Sequence, residues 1–471
     1  MLLAVVSCPG PYIPSWAFYA FLILAAIAYT EVRYLYSDEW KIPTFNDFPY
    51  AGTYIAGLRF YFQSRKMIFG GYKQYKATVF KVPRWSTRWA VIVTGDKLVE
   101  ELHRLPDNVC SLEEAAKDEM QVPHTMGPQT YSNPYHLSVL KANLHRHTDY
   151  LVNEILDEVV PAFEDVIGKN CSAEWSEFNV NTHVPKIVSR IFNRILVGAP
   201  LCQNADFNEI GCRFSVAVYI TSVVINFFPL SLRSLVGKMI GRASAFQREA
   251  SNHLEPLIEE RKKMLIDYGS NWIDKPNDVL MWLMEGFNGN SFDSADVQSR
   301  ILTVNSATSH TSSYTFMQAL VNMASRPECM KQCIAEAETA VRCRGWTRDG
   351  INSLELLDSF FKESMRMNGL ASMSFPRKLT QPLTLSDGTY LPANSFVSAS
   401  FAAHFDGEYY ENPLTFNAFR FPGRFLVAYA LKALMAHILL NYDLRLGGDG
   451  ARKPDFWFSY HCTPNTSTRY V

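Results

Sequence analysis

Glu363 and Arg366 stand three residues apart in Lys362-Glu363-Ser364-Met365-Arg366, placing a carboxylate and a guanidinium on one face of a helix. Most pairs of this kind are solvated surface bridges worth about a few tenths of a kcal/mol. Here the apolar Leu354, Leu356, Leu357, Phe360 and Phe361 run up to the pair, so the helix is expected to bury it. Two further guanidiniums follow, Arg377 in Phe375-Pro376-Arg377 and Arg420 in Phe416-Asn417-Ala418-Phe419-Arg420-Phe421. A buried Glu363 held between guanidiniums makes a bidentate cluster that locks a helix to the chain beyond it.

The elements that must position these residues are mainly helical. Residues 50–76 read as a helix ending near Gly70-Gly71-Tyr72. Thr78 to Pro83 and Trp89 to Gly95 read as the strands of a hairpin with a charged turn. From about 135 to 440 the apolar positions recur at three and four, as in Ile155, Val159, Val160 and Phe163. The unusually apolar stretch 213–231 is expected to be a buried core helix, since Pro229 ends it too early for a membrane span. After Arg377 the pattern returns to strands around a tight turn, Ser386-Asp387-Gly388-Thr389. A last helix, Phe425 to Leu440, precedes short strands toward Val471.

The chain has 471 residues, 48% hydrophobic and 19% charged, with a net charge of −1 and no repeat or low-complexity linker. That balance excludes a nucleic-acid partner, because no basic excess exists to neutralise phosphates. Nine cysteines are scattered from Cys8 to Cys462, an odd number in a long chain, so a secreted disulfide framework is not expected. Cys329 and Cys333 share a helix face, yet no His or Cys pair completes a zinc set around them. The N-terminus is of another kind. No charged residue occurs before Glu31, and the apolar run Trp16–Tyr29 reaches eighteen residues when extended to Ile13 and Thr30. With interfacial Trp16, Tyr19, Tyr29, Arg33 and Tyr34, residues 1–31 read as a single-pass membrane anchor ahead of a globular domain, 40–471.

With these motifs in order, the chain resembles the cytochrome P450 family over essentially its whole length, and 377–400 is similar to the fungal ent-kaurene-oxidase-like branch. The resemblance implies a mainly α fold with a small β-rich subdomain and an N-terminal transmembrane helix. It implies a haem cofactor, an NADPH-dependent reductase partner, and a small apolar secondary-metabolism substrate oxidised with dioxygen, terpenoid-like by the kaurene-oxidase resemblance. The anchor would place the protein in the endoplasmic reticulum membrane, with its globular domain facing the cytosol. Glu363 and Arg366 match the family's E-x-x-R helix, Arg420 matches the arginine that completes that triad, and Arg377 matches a haem-propionate partner. Ala307-Thr308-Ser309-His310-Thr311-Ser312 matches the oxygen-activating helix, with Ala307 beside the cofactor and Thr311 supplying the alcohol. His310 replaces the family's acid, and a histidine can shuttle protons near neutral pH. The helix that usually carries Trp-x-x-x-Arg has no Trp over 131–151, where His136, Lys141 and Arg146 are the available propionate partners.

One departure is sharp. The family's axial cysteine is expected in a Gly-rich loop just before Pro422-Gly423-Arg424-Phe425, but Phe421 precedes Pro422 directly, and no cysteine lies between Cys343 and Cys462. No metal ligand is therefore assigned. Both flanks match the family up to the cut, which reads as a lost exon or a mispredicted intron in a monooxygenase gene. The alternative is a non-catalytic membrane-bound pseudoenzyme, or a binding or scaffold protein. Cys8-Pro9-Gly10 imitates the tripeptide without its loop or helix, and Cys462 belongs to a terminal hairpin that the family places on the substrate side.

Overall fold

The computed structural model describes residues 41–45, 52–168, 175, 177–228, 230–286, 293–419, 426–448 and 450–465. The anchor segment 1–31, Arg420 and the join over 420–425 lie outside the described residues. The principal helices are α1 (Gly52–Gln74), α2 (Thr148–Ile167), α3 (Val180–Val197), α4 (Ala205–Asn226), α5 (Ser294–Ala324), α6 (Glu355–Met367) and α7 (Leu426–Asn441). The strands are β1 (Val79–Arg84), β2 (Arg88–Val93), β3 (Cys110–Ser111), β4 (Met373–Leu379), β5 (Leu383–Thr384), β6 (Tyr390–Leu391), β7 (Phe396–Ser400), β8 (Phe456–Phe458) and β9 (His461–Thr463).

Five strands form one sheet in the order β1-β2-β7-β4-β3. The β1–β2 hairpin is antiparallel, and β2 pairs in parallel with β7, so the sheet joins the two ends of the sequence. The turn over 386–389 closes the short β5–β6 ladder, and β8–β9 form a terminal hairpin.

Around the 31-residue α5 the other helices assemble. Its start is fixed by Asp293, whose carboxylate accepts from the Ala295 N–H, a standard way to satisfy an orphan amide of the first turn. Val297, Ile301, Phe316 and Leu320 are sealed into the same core as Leu151 of α2, Ile191 of α3 and Leu434 of α7. A ladder of amides crosses three helices: Asn305 of α5 donates to Asn193 of α3 at 2.7 Å, and Asn193 donates to Asn208 of α4 at 2.6 Å. Buried amides paired this way fix the rotation of each helix, because any slip strands a desolvated donor.

The stretch expected to be a buried core helix is only half buried. In α4, Phe214, Val218 and Ile225 face inward, while Val216, Ile220 and Val224 are exposed at four-residue spacing. Its inward face packs against α3, α5 and the helices Leu112–Met120 and Ala243–Tyr268, and these neighbours leave the Val216, Ile220 and Val224 face open. Its length and hydropathy suffice for a membrane span by composition, but the buried face belongs to the domain core.

Candidate active site

Glu363 and Arg366 form a closed pair at the C-terminal end of α6. Arg366 Nε and Nη2 donate to the two Glu363 oxygens at 2.7 and 2.8 Å, and the carboxylate is wholly buried. The rest of the guanidinium serves the coil after β7, donating from Nη1 to the carbonyls of His404 at 2.6 Å and Pro413 at 2.8 Å, and from Nη2 to Thr415 at 3.2 Å. Glu363 in turn accepts the Asn417 N–H at 2.7 Å. One ion pair thus staples residues 404–417, the approach to the join, onto α6. Arg326 adds a cationic face 3.8 Å from the ring of Phe416.

On α5, Ala307 and Thr311 are exposed, one turn apart, in the middle of a helix whose other faces are buried. The helix runs through them unbroken, and the Thr311 hydroxyl donates to the Ala307 carbonyl at 2.9 Å. That back-bond spends the hydroxyl hydrogen and leaves the oxygen lone pairs on the open face. His310 packs against Tyr314, ring centroids 4.5 Å apart. Burial pushes the His310 imidazole below its ordinary value, so it is neutral at pH 7. The neutral imidazole keeps one donor and one acceptor nitrogen.

Arg377 lies just past a bulge in β4, where the register with β7 shifts between Ser374 and Arg377. Phe375 occupies the left-handed region at φ 59°, an unusual conformation for an aromatic residue. This turns its ring beneath the Arg377 guanidinium at 3.8 Å. Arg377 Nη1 donates to the Pro376 carbonyl, and no carboxylate among the described residues pairs with this cation. The alternative propionate partners fare differently. His136 is buried and held by Arg300 Nη1 at 2.9 Å, with Arg300 itself paired to Asp296. Lys141 and Arg146 are exposed on the helix Tyr135–Arg146.

Comparison with known proteins agrees with this architecture. The Cytochrome P450 family model matches residues 51–428. Cytochrome P450 monooxygenase 151 of Postia placenta is 34% identical, over 95% of this chain and 96% of that protein. Cytochrome P450 monooxygenase CYP512U6 of Ganoderma lucidum is 29% identical, over 89% and 90%. Among solved structures, retinoic acid bound cyanobacterial CYP120A1 superposes with a TM-score of 0.67 at 14% identity, covering 91% of this chain and 98% of that one. A helical core of this order with its small sheet, and relatives of this extent, define one class: the chain belongs to the cytochrome P450 family, the haem-dependent monooxygenases.

The family's cofactor is haem, and the residues fit it on one side. The uncovered Ala307–Thr311 face and Arg377, which closes no ion pair among the described residues, suit a flat cofactor with anionic propionates. The proximal side does not fit, because the sequence holds no cysteine between Cys343 and Cys462. Cys462 is no substitute: it is buried, accepts a contact from Gln318 at 3.7 Å, and burial pushes its thiol far above the ordinary range.

Sequence reasoning missed a cluster of Arg84 at the end of β1, Glu119 on the helix Leu112–Met120, and Tyr460 and His461 of the terminal hairpin. No spacing in the sequence links these positions; only the packing of the β1–β2 hairpin, the helix Leu112–Met120 and the terminal hairpin brings them together.

Proposed function

We propose that this chain carries the scaffold of a monooxygenase that oxidises a small apolar molecule, terpenoid in character, with electrons passed from NADPH by a membrane-bound reductase. The observation that carries the reading is the uncovered Ala307–Thr311 face on an otherwise buried helix. Haem held by a cysteine thiolate supplies dioxygen activation in this family. Of the chain's own residues, Arg377 would hold a propionate, and Thr311 offers its oxygen to a proton-bearing group once its hydrogen has gone to Ala307. His310, neutral, offers one donor and one acceptor beside it. Glu363 and Arg366, with Arg420 as third member, position the coil leading to the cofactor loop.

Membrane association has support beyond the 1–31 anchor. Leu58 and Phe62 of α1, Phe228, Leu230, Leu235 and Met239 after α4, and Phe456 are large apolar residues left exposed. The stacking of Tyr61 on Phe227 at 4.9 Å joins the α1 and α4 parts of this surface. Apolar surface of this size favours a lipid contact, and an endoplasmic-reticulum location with residues 40–471 in the cytosol follows the same reading.

The second reading, a non-catalytic membrane-bound pseudoenzyme or binding protein, is the alternative that the absent cysteine raises for the chain as written. The test is reconstitution with a fungal reductase and NADPH, using the chain as written and a variant with a Gly-rich cysteine loop inserted between Phe421 and Pro422. Oxygenated product from an apolar terpenoid with the restored variant alone supports the monooxygenase scaffold. Absence of product and of haem binding in the restored variant would leave the binding protein.

A further inference from the structure

Gly237 and Gly241 stand four apart in Val236-Gly237-Lys238-Met239-Ile240-Gly241, which puts both on one side of the helix Leu230–Ile240 that follows α4. Glycine inside a helix is destabilising, so its place there calls for a close approach. The approach is to His124 of the helix Val122–Thr125. A Cβ added at Gly237 would collide with the His124 ring, standing 2.7 Å from Nδ1, and one at Gly241 would stand 2.7 Å from the His124 carbonyl oxygen. Gly237 is buried against that ring. The two glycines therefore form a saddle that seats one imidazole.

The other end of the same helix is fastened differently. Arg233 is buried and donates to the carbonyls of Ser86, in the β1–β2 turn, at 2.6 Å and of Phe228 at 2.9 Å. A guanidinium keeps its charge at any working pH, so this fastening is permanent. The saddle end is not. Burial and the neighbouring Lys238 together hold the His124 imidazole below its ordinary value of 6.5. The acids packed around the helix Val122–Thr125 are already committed: Glu114 to Lys117 and the Tyr131 hydroxyl, Asp118 to Lys378 at 2.6 Å, and Glu119 to Arg84. Lys117 also donates to Tyr131 at 2.7 Å. His124 closes no ion pair among the described residues, so a second positive charge beside Lys238 would meet no counter-ion.

We infer that the helix Leu230–Ile240 is an acid-released strap: protonation of His124 frees the saddle end while Arg233 holds the other, and the helix swings away from Val122–Thr125. The sign follows from where the proton binds. The seated ring disfavours it and the freed ring takes it normally, so the strap is fully fastened above pH 6.5 and loosens as pH falls below that value. Release uncovers the layer beneath, where Gln121 donates to Asn226 at the end of α4 at 2.8 Å. The apolar outer residues Leu235 and Met239 travel with the strap.

The test is amide hydrogen exchange of the full-length chain in phosphatidylcholine nanodiscs, read on peptides from 230–241 and corrected for the intrinsic pH dependence of exchange. Between pH 7.5 and pH 5.5 the protection of these peptides should fall severalfold, with a ceiling of about tenfold for one proton taken up on release a pH unit below 6.5. Peptides from α3 serve as the reference and should keep their protection. His124→Gln, neutral at both pH values, should keep the strap protected at both. Gly237→Ala, which drives a methyl into the ring, should expose the strap already at pH 7.5. Should His124→Gln fail to fold, Lys238→Met at an exposed position carries the test, and its fall in acid should be smaller than that of the unmodified chain. Unchanged protection in acid, an equal fall in α3, or an undiminished fall in His124→Gln or Lys238→Met would each overturn the strap.

Discussion

The Glu363 carboxylate accepts the backbone N–H of Asn417 at 2.7 Å, across 54 residues of chain, with the same oxygen that takes Arg366 Nη2. Helix α6 and the strand of chain leading to the join are therefore held by a single buried anion. Removing that anion leaves Arg366 desolvated and the Asn417 amide without its acceptor. Glu363→Ala is expected to cost about 3–5 kcal/mol, in the range for breaking a buried ion pair from one side. Glu363→Gln, which keeps an acceptor for Asn417, should cost less. Denaturant unfolding of the membrane-reconstituted chain measures both; an unchanged midpoint for Glu363→Ala would refute the stapling role.

The chain as written should give no thiolate-type Soret band in its reduced carbon monoxide complex. Inserting the Gly-rich cysteine loop between Phe421 and Pro422 should produce one. The band in the unmodified chain would mean that another cysteine had taken the iron, against the buried, protonated state of Cys462.

Gly211 of α4 faces the Asn305 amide so closely that an added Cβ would stand 2.7 Å from its Oδ1. Gly211→Ala should push α4 away from α5 or break the Asn305–Asn193 bond, costing about 1–3 kcal/mol despite alanine's better helix propensity. Trimming Asn305 to alanine in the same chain should recover part of the loss, a coupling that a double-mutant cycle reads directly.

Acid should destabilise the fold in a defined window. Burial holds His136 and His461 near pKa 4, against an ordinary value of 6.5. The unfolded chain then binds more protons than the folded one as pH falls from about 6.5 to about 4, so stability declines across that interval. His461→Gln should flatten the decline, seen as a smaller difference in urea midpoint between pH 7 and pH 5. An undiminished slope would show that the histidine is solvated and titrates normally.

Much of this molecule was legible in local pattern. The helix Gly52–Gln74, the β1–β2 hairpin, the turn over 386–389 and the closing helix α7 follow from periodicity and turn chemistry, which act over a few residues. Glu363 and Arg366 were legible for the same reason, since a three-residue separation on a helix makes them neighbours before any tertiary contact forms. The missing cysteine is also a fact of sequence alone. Arg366's bonds to the 404–415 carbonyls, the exposed outer face of α4, the spending of His136 on Arg300, and the Arg84–Glu119–Tyr460 cluster were decided only by the tertiary structure. Each joins residues that are remote in the chain, and burial depends on which elements cover a face, a property that no local run of residues contains.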